Sequence, residues 1–409
     1  GLRRCHTDPR VLAEHHIKDA VASFVRSFHG KAALLGDQST ADCLSCHVAA
    51  GANAHLMLPP GDARSSVNPQ NLANACRSPE CHPGADVRIA AASVHLDLPT
   101  KQAALEFGVA FAFIVLTVVS FCPSLLLCLL EMFQIVIGRR RHGEHAAELL
   151  TRAVLAHPDG RTRLTRFTVS QRCQHWVLAV LFTVLAVTGF PMKFADHAWS
   201  RAVIETLGGL HVARTIHHWA GMALVTGFLG HLAYCAVPLF RTAAERTAGG
   251  HRLGLLRALW RLPMFIQPSD LRKGYRLLLY LVGLNREPPT FGRFSIKEKF
   301  EYIGVFWGTI LLGVTGVLLW GEQFFSHYVS GRVLNVALIA HTYEAFLAII
   351  HVGILHIVNV IFAPNVFPLS RATITGNTPL RELAETHGEY VEQAARDLGI
   401  SAAANGTHG

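Results

Sequence analysis

The chain has 409 residues, a mean hydropathy of +0.31 and only 16% charged residues. Several of its apolar runs are long enough to cross a bilayer, which excludes an ordinary soluble domain. The formal net charge is +9 with the basic residues unevenly placed, and no nucleic-acid partner is expected.

Residues 1–104 are polar, rich in Ala, Asn, Pro and His, and show little periodicity. A core is hard to build from them alone. Cys43-Leu44-Ser45-Cys46-His47 is the attachment signature of a c-type haem. Two thioether bonds hold such a porphyrin, and the following histidine binds iron from one face. Cys76-Arg77-Ser78-Pro79-Glu80-Cys81-His82 is a longer version, with four residues between its cysteines. Cys5-His6 has the end of a motif without its first cysteine. A cysteine just before Gly1 would give the same four-residue spacing, so the sequence is expected to begin inside a motif, with upstream residues missing. A chance Cys-His pair is the alternative. Cys122, Cys128, Cys173 and Cys235 lie in or beside apolar runs and read as packing residues.

Five membrane segments follow, at about 107–137, 174–194, 214–240, 300–320 and 333–362. Each reaches the ~20 residues that cross ~30 Å of hydrocarbon. Arginines crowd the stretch after the first segment, among them Arg139, Arg140, Arg141, Arg161 and Arg163, and also the connection 241–299. Connections 195–213 and 321–332 are nearly free of them. The basic stretches are therefore expected to be cytoplasmic and the N-terminal domain to lie outside. The expected organisation is a periplasmic multihaem c domain (1–104), an anchor helix (105–138), a basic linker (139–166), a four-helix di-haem b domain (167–363) with a cytoplasmic loop (241–299), and a cytoplasmic tail (364–409). Residues 253–284 are apolar runs punctuated by arginine that can lie flat on the inner leaflet. The fold class is an all-α membrane protein of the bacterial inner membrane, with five transmembrane helices and a loop-rich outer domain.

Histidines at membrane depth are costly without a partner, and haem iron is a suitable one. Depth pairs His217 with His341 near the outside and His175 with His356 near the inside. His356 follows His341 by fifteen residues, which at ~100° each returns it to within ~60° of the His341 direction. His218 is an alternative to His217; His231 fits a two-haem spacing or a quinone-linked role; His351 reads as a supporting group.

Residues 167–362 resemble the cytochrome b subunits of respiratory formate dehydrogenases and nickel–iron hydrogenases. The matching pieces are Gln174-His175-Trp176, Ala213-Arg214-Thr215-Ile216-His217, Gly292-Arg293-Phe294-Ser295 and the run from His341 to His356. The resemblance implies two b haems on the four histidines and a quinone near the cytoplasmic one. The family's last two ligands stand one residue closer, so a local helix bulge or the use of His351 is expected here. It has proline where His218 stands, and amides where Ser295 and Glu298 stand. His231, Ser295, Lys297 and Glu298 are the candidates for quinone contact or proton delivery. Residues 1–98 look like a piece of a multihaem cytochrome c. The resemblance makes Cys5, Cys43, Cys46, Cys76 and Cys81 thioether ligands, His6, His47 and His82 proximal iron ligands, and His29, His55 and His95 distal ones. That gives three c haems, or two if Cys5-His6 is not a site; sequence order does not pair the distal histidines.

The expected function is electron transfer between the quinone/quinol pool and a periplasmic cytochrome or iron–sulfur protein, as a quinol/quinone:cytochrome c-type oxidoreductase within a multi-subunit complex. The alternative is a passive relay and anchoring subunit whose substrate chemistry lies elsewhere.

Overall fold

A computed structural model of the chain describes residues 7–14, 19–48, 53, 56–95, 103–137, 151–158, 162–246, 251–362 and 369–399. Cys5, His6, His55, His15, His16, Arg139 to Arg141 and Arg161 lie outside the described residues. Among the described residues, five helices are long and apolar enough to cross a membrane: Ala104–Gln134, Val169–Lys193, Leu210–Ala244, Ile296–Trp320 and Gly331–Phe362. They are the first to fifth spanning helices below. Large apolar side chains such as Phe111, Val119, Leu126, Leu229 and Trp307 stand exposed on them, as lipid-facing side chains do. Three of these helices carry an internal proline, at Pro123, Pro191 and Pro238.

The chain divides into two compact units. The first holds Gly1–Leu116, Val180–Val225 and Ile310–Phe346. Among the described residues, its N-terminal part consists of short helices and turns, with few buried apolar side chains. Ala32 and Leu35, at the end of the helix Phe28–Leu34, pack with Ala195, Ile204, Leu210 and Ala213. Ile204 belongs to a helix, Ala198–Thr206, in the connection between the second and third spanning helices. Arg201 donates to the Leu34 carbonyl at 2.8 Å, and the Gly331 amide donates to the Arg88 carbonyl at 2.8 Å. Glu106, 3% exposed, is neutralised by Arg332 at 3.0 Å, which makes an acid at the start of a spanning helix tolerable.

The second unit holds Thr117–Ala179, Thr226–Thr309 and Leu347–Gly409. The loop after the third spanning helix forms two helices, Leu255–Trp260 and Pro268–Leu281. The latter buries Leu277, Tyr280 and Leu281 against Phe291, Leu127 and Leu130. Gln134 donates to the Leu281 carbonyl at 2.7 Å, and the buried pair Lys299–Asp270 closes at 2.7 Å.

The described parts of the linker (151–158 and 162–166) and of the tail (369–399) pack together. Strand β1 (Arg163–Thr165) pairs antiparallel with β2 (Asn377–Pro379), Leu164 standing opposite Thr378. Beneath them Val154 packs with Leu380, Leu383, Ala384, Val391 and Ala395. The helices Leu380–Thr386 and Gly388–Asp397 carry these residues at three- and four-residue steps, the spacing of one helical face.

Candidate functional site

The described motif histidines meet in pairs. In the first unit the ring centroids of His217 and His341 are 6.4 Å apart, those of His47 and His95 6.1 Å, and those of His29 and His82 6.3 Å. In the second unit His175 and His356 stand 6.3 Å apart. Two imidazoles on opposite sides of one metal ion, each bonded at ~2 Å, have centroids ~6.2 Å apart, since each ring nitrogen lies ~1.1 Å from its centroid. All four pairs fit that separation.

Hydrogen bonds at Nδ1 set the rings. The Thr188 hydroxyl donates to the Val184 carbonyl at 2.8 Å, so its oxygen accepts from His217 Nδ1 at 2.8 Å. Thr315 repeats this, donating to Leu311 at 2.6 Å and accepting from His341 Nδ1 at 3.0 Å. The residue after each threonine is glycine. A Cβ at Gly189 would stand 3.0 Å from the His217 ring, and one at Gly316 would stand 3.3 Å from His341. Ser23, donating to the Ala20 carbonyl, does the same for His95 Nδ1 at 2.8 Å. Glu301 accepts from His356 Nδ1 at 3.0 Å. A proton fixed on Nδ1 leaves the Nε2 lone pair for a metal.

His356 reaches this place through a change of helix type. From His351 to His356 the fifth spanning helix becomes a π-helix, which widens the turn and absorbs one residue. His351 donates from Nδ1 to the Leu347 carbonyl at 2.9 Å and packs between Phe121 and Phe300, apart from any second histidine.

The two cysteine motifs reach similar ends by different backbones. Asp42 caps the single-turn helix Cys43–His47, accepting from the Ser45 amide at 2.9 Å, and so places Cys43 and Cys46 three residues apart on one face. In the longer motif the four intervening residues loop out, and the His82 amide donates back to the Cys76 carbonyl at 3.1 Å. Cys43, Cys46, Cys76 and Cys81 form no disulfide. Burial pushes the Cys46 thiol up to about 11 and raises those of Cys43 and Cys76, which favours the neutral thiol at these three positions. Burial, then the facing imidazole, lowers the pKa of His29 and His47, which favours the neutral ligand form. Among the described residues no three His, Cys, Asp or Glu side chains converge on one point. A pair of imidazoles supplies two ligands, and a planar group with four nitrogens supplies the rest: the residues fit porphyrin iron.

The remaining candidates are engaged as follows. His218 stacks on Trp320 with centroids 4.8 Å apart. His231 has both nitrogens occupied, Nδ1 with Gln174 Oε1 at 2.7 Å and Nε2 with the Tyr302 hydroxyl at 2.8 Å. Ser295 and Glu298 cap the fourth spanning helix, Glu298 accepting from the Ser295 amide at 2.7 Å. Glu298 also meets the Arg166 guanidinium, and His387 of the tail at 3.3 Å. Lys297 pairs with Glu131. Of the quinone candidates His231, Ser295, Lys297 and Glu298, His231 alone has, among the described residues, a bond to a residue adjoining a paired histidine.

Sequence reasoning missed Thr188, Thr315, Gly189, Gly316 and Glu301. A signal existed for four of them: Val-Thr-Gly occurs at 187–189 and again at 314–316, each inside an apolar run.

The fold and this arrangement define an all-α, multi-pass membrane protein that sets imidazoles in pairs within its helices. No family model matches the chain. Over 186 residues it is 27% identical to the formate dehydrogenase cytochrome b556 subunit of Haemophilus influenzae, covering 46% of this chain and 66% of that protein. Over 201 residues it is 26% identical to the formate dehydrogenase cytochrome b556(fdo) subunit of Escherichia coli K12, covering 48% of this chain and 78% of that one.

Proposed function

We propose that the chain carries electrons across the bacterial inner membrane, between the quinone/quinol pool and a periplasmic redox protein. The observation that carries this reading is the shared 6.1–6.4 Å separation of four imidazole pairs. His217 with His341 and His175 with His356 would each hold a b haem. His47 with His95 would hold the c haem attached at Cys43 and Cys46, and His82 with His29 the one attached at Cys76 and Cys81. His6 and His55 are left for a third, at Cys5. Iron gripped by two imidazoles supplies a one-electron carrier with no open coordination position. The protein's part is to fix each ring: Thr188, Thr315, Ser23 and Glu301 hold the proton on Nδ1, and Gly189 and Gly316 leave room for the ring. The distribution of arginine supports a periplasmic N-terminal domain and a cytoplasmic C-terminus. His231, with Tyr302 and Gln174, is the best-placed candidate for quinone contact.

Pyridine haemochrome analysis of the purified chain tests the reading. Two extractable haems for every three covalent ones are expected, or two for two if Cys5-His6 is not a site. Extractable haem near zero overturns it. A second variant tests the ring cradle. Gly189→Val is expected to press on the His217 ring and to weaken retention of one extractable haem by ~10–100-fold, the range typical of residues that orient a metal ligand. Retention equal to wild type would remove the cradle from the account.

The relatives are named as subunits, which favours a second reading: a relay and anchoring subunit with substrate chemistry on another chain. Reduction of the b haems by a quinol analogue in the isolated chain, stopped by a quinone-site inhibitor, distinguishes the first reading from the second.

A further inference from the structure

The two b sites differ in what receives the Nδ1 proton. At His217 and His341 the acceptors are neutral hydroxyls, Thr188 and Thr315, each spending its own proton on a backbone carbonyl. At His356 the acceptor is a carboxylate, Glu301, at 3.0 Å. Its other oxygen accepts from the Asn359 amide at 3.3 Å. Asn359 follows His356 by three residues, and its Oδ1 lies 3.8 Å from Cys128 Sγ. The opposite ring, His175, has a buried Nδ1 with no hydrogen-bond partner among the described residues. Whatever tunes this pair through its ring protons therefore acts at His356.

We propose that Glu301 is a positioning residue that holds His356 and lowers the reduction potential of the His175–His356 site alone. This rests on the haem reading above. A charged acceptor draws the Nδ1 proton more strongly than a hydroxyl does. The ring becomes more basic and its Nε2 a stronger donor. A stronger donor stabilises ferric over ferrous iron, and outer hydrogen bonding is one of the levers by which a protein sets haem potential.

The test is a redox titration of the b haems in the full haem-loaded chain. Glu301→Gln keeps the shape and removes the charge. The ferric-to-ferrous preference of one b haem is expected to fall about tenfold, a rise of ~59 mV in its midpoint for a one-electron couple. The other b haem stays where it was, and both remain low-spin. Thr315→Val is expected to move the other haem and to spare this one. Unchanged midpoints in Glu301→Gln, or equal movement of both, overturn the proposal. Should that variant release the haem, Glu301→Asp is titrated instead; a smaller rise at the same haem supports the proposal and no rise overturns it. A wild-type chain without low-spin b haem overturns the haem reading itself, and this inference with it.

Discussion

Replacing His341 by alanine is expected to abolish one of the two extractable haems and to leave covalent haem staining intact. The imidazole removed lies on the fifth spanning helix, 6.4 Å from its partner on the third. Among the described residues, neither neighbouring histidine is free to replace it. His218 is stacked on Trp320, and His351 is bonded to the Leu347 carbonyl between two phenylalanines. Thr315 would lose the donor to its oxygen, leaving a buried acceptor unsatisfied at a cost of ~1–3 kcal/mol on top of the lost metal bond. The cysteine motifs stand beside their own histidine pairs, His47–His95 and His29–His82, so covalent staining is expected to be unchanged. Cys46→Ala is the reverse case: covalent staining falls while both extractable haems stay. Extractable haem measured by pyridine haemochrome, beside haem-stained denaturing gels, reads the two together. Loss of both haem types in either variant would mean that the chain is not divided between c and b sites.

The membrane helices were legible because a bilayer imposes one requirement, a long apolar run, that sequence displays directly. Their ends were less so. The second, third and fourth helices begin four or five residues before their apolar runs, at Val169, Leu210 and Ile296. The first turns contain polar residues such as Gln171 and Lys297, which belong to the helix and not to the hydrocarbon. The pairing of His217 with His341 and of His175 with His356 followed from depth and helical angle. The groups behind the rings did not, because threonine and glycine in an apolar helix look like ordinary small residues until a ring is seen against them. Glu301 sits among charged residues at a helix start and carries no mark of its own. The pairing of His29 with His82 depends on loops, where neither period nor depth constrains position. The linker and tail were opaque for another reason. Their core joins Val154 to Leu380 and Val391, more than two hundred residues on, and each contributing stretch is too short to show a face.

The π-turn is expected to make the His175–His356 site sensitive to length in one direction only. Fifteen α-helical steps from His341 would leave His356 ~60° past the His341 direction, whereas fourteen would leave it ~40° short. The widened turn from His351 to His356 takes up the extra residue, and His356 faces His175. Deleting Gly353 removes that residue. The segment can then close as an ordinary α-helix, with the histidine fourteen steps from His341 and on nearly the same face. Nothing stands within 4 Å of a Cβ placed at Gly353, so its removal empties no packed contact. Inserting an alanine after Gly353 has the opposite result. A second extra residue would need a second bulge; without one, His356 swings by ~100° and Glu301 loses its hydrogen-bond donor. The deletion is therefore expected to retain both extractable haems, and the insertion to abolish one while keeping the His217–His341 haem. The optical and electron-paramagnetic signals of the two b haems, recorded in both variants, decide it. Loss of the same haem in both would show that the site depends on the π-turn itself and not on the register it restores.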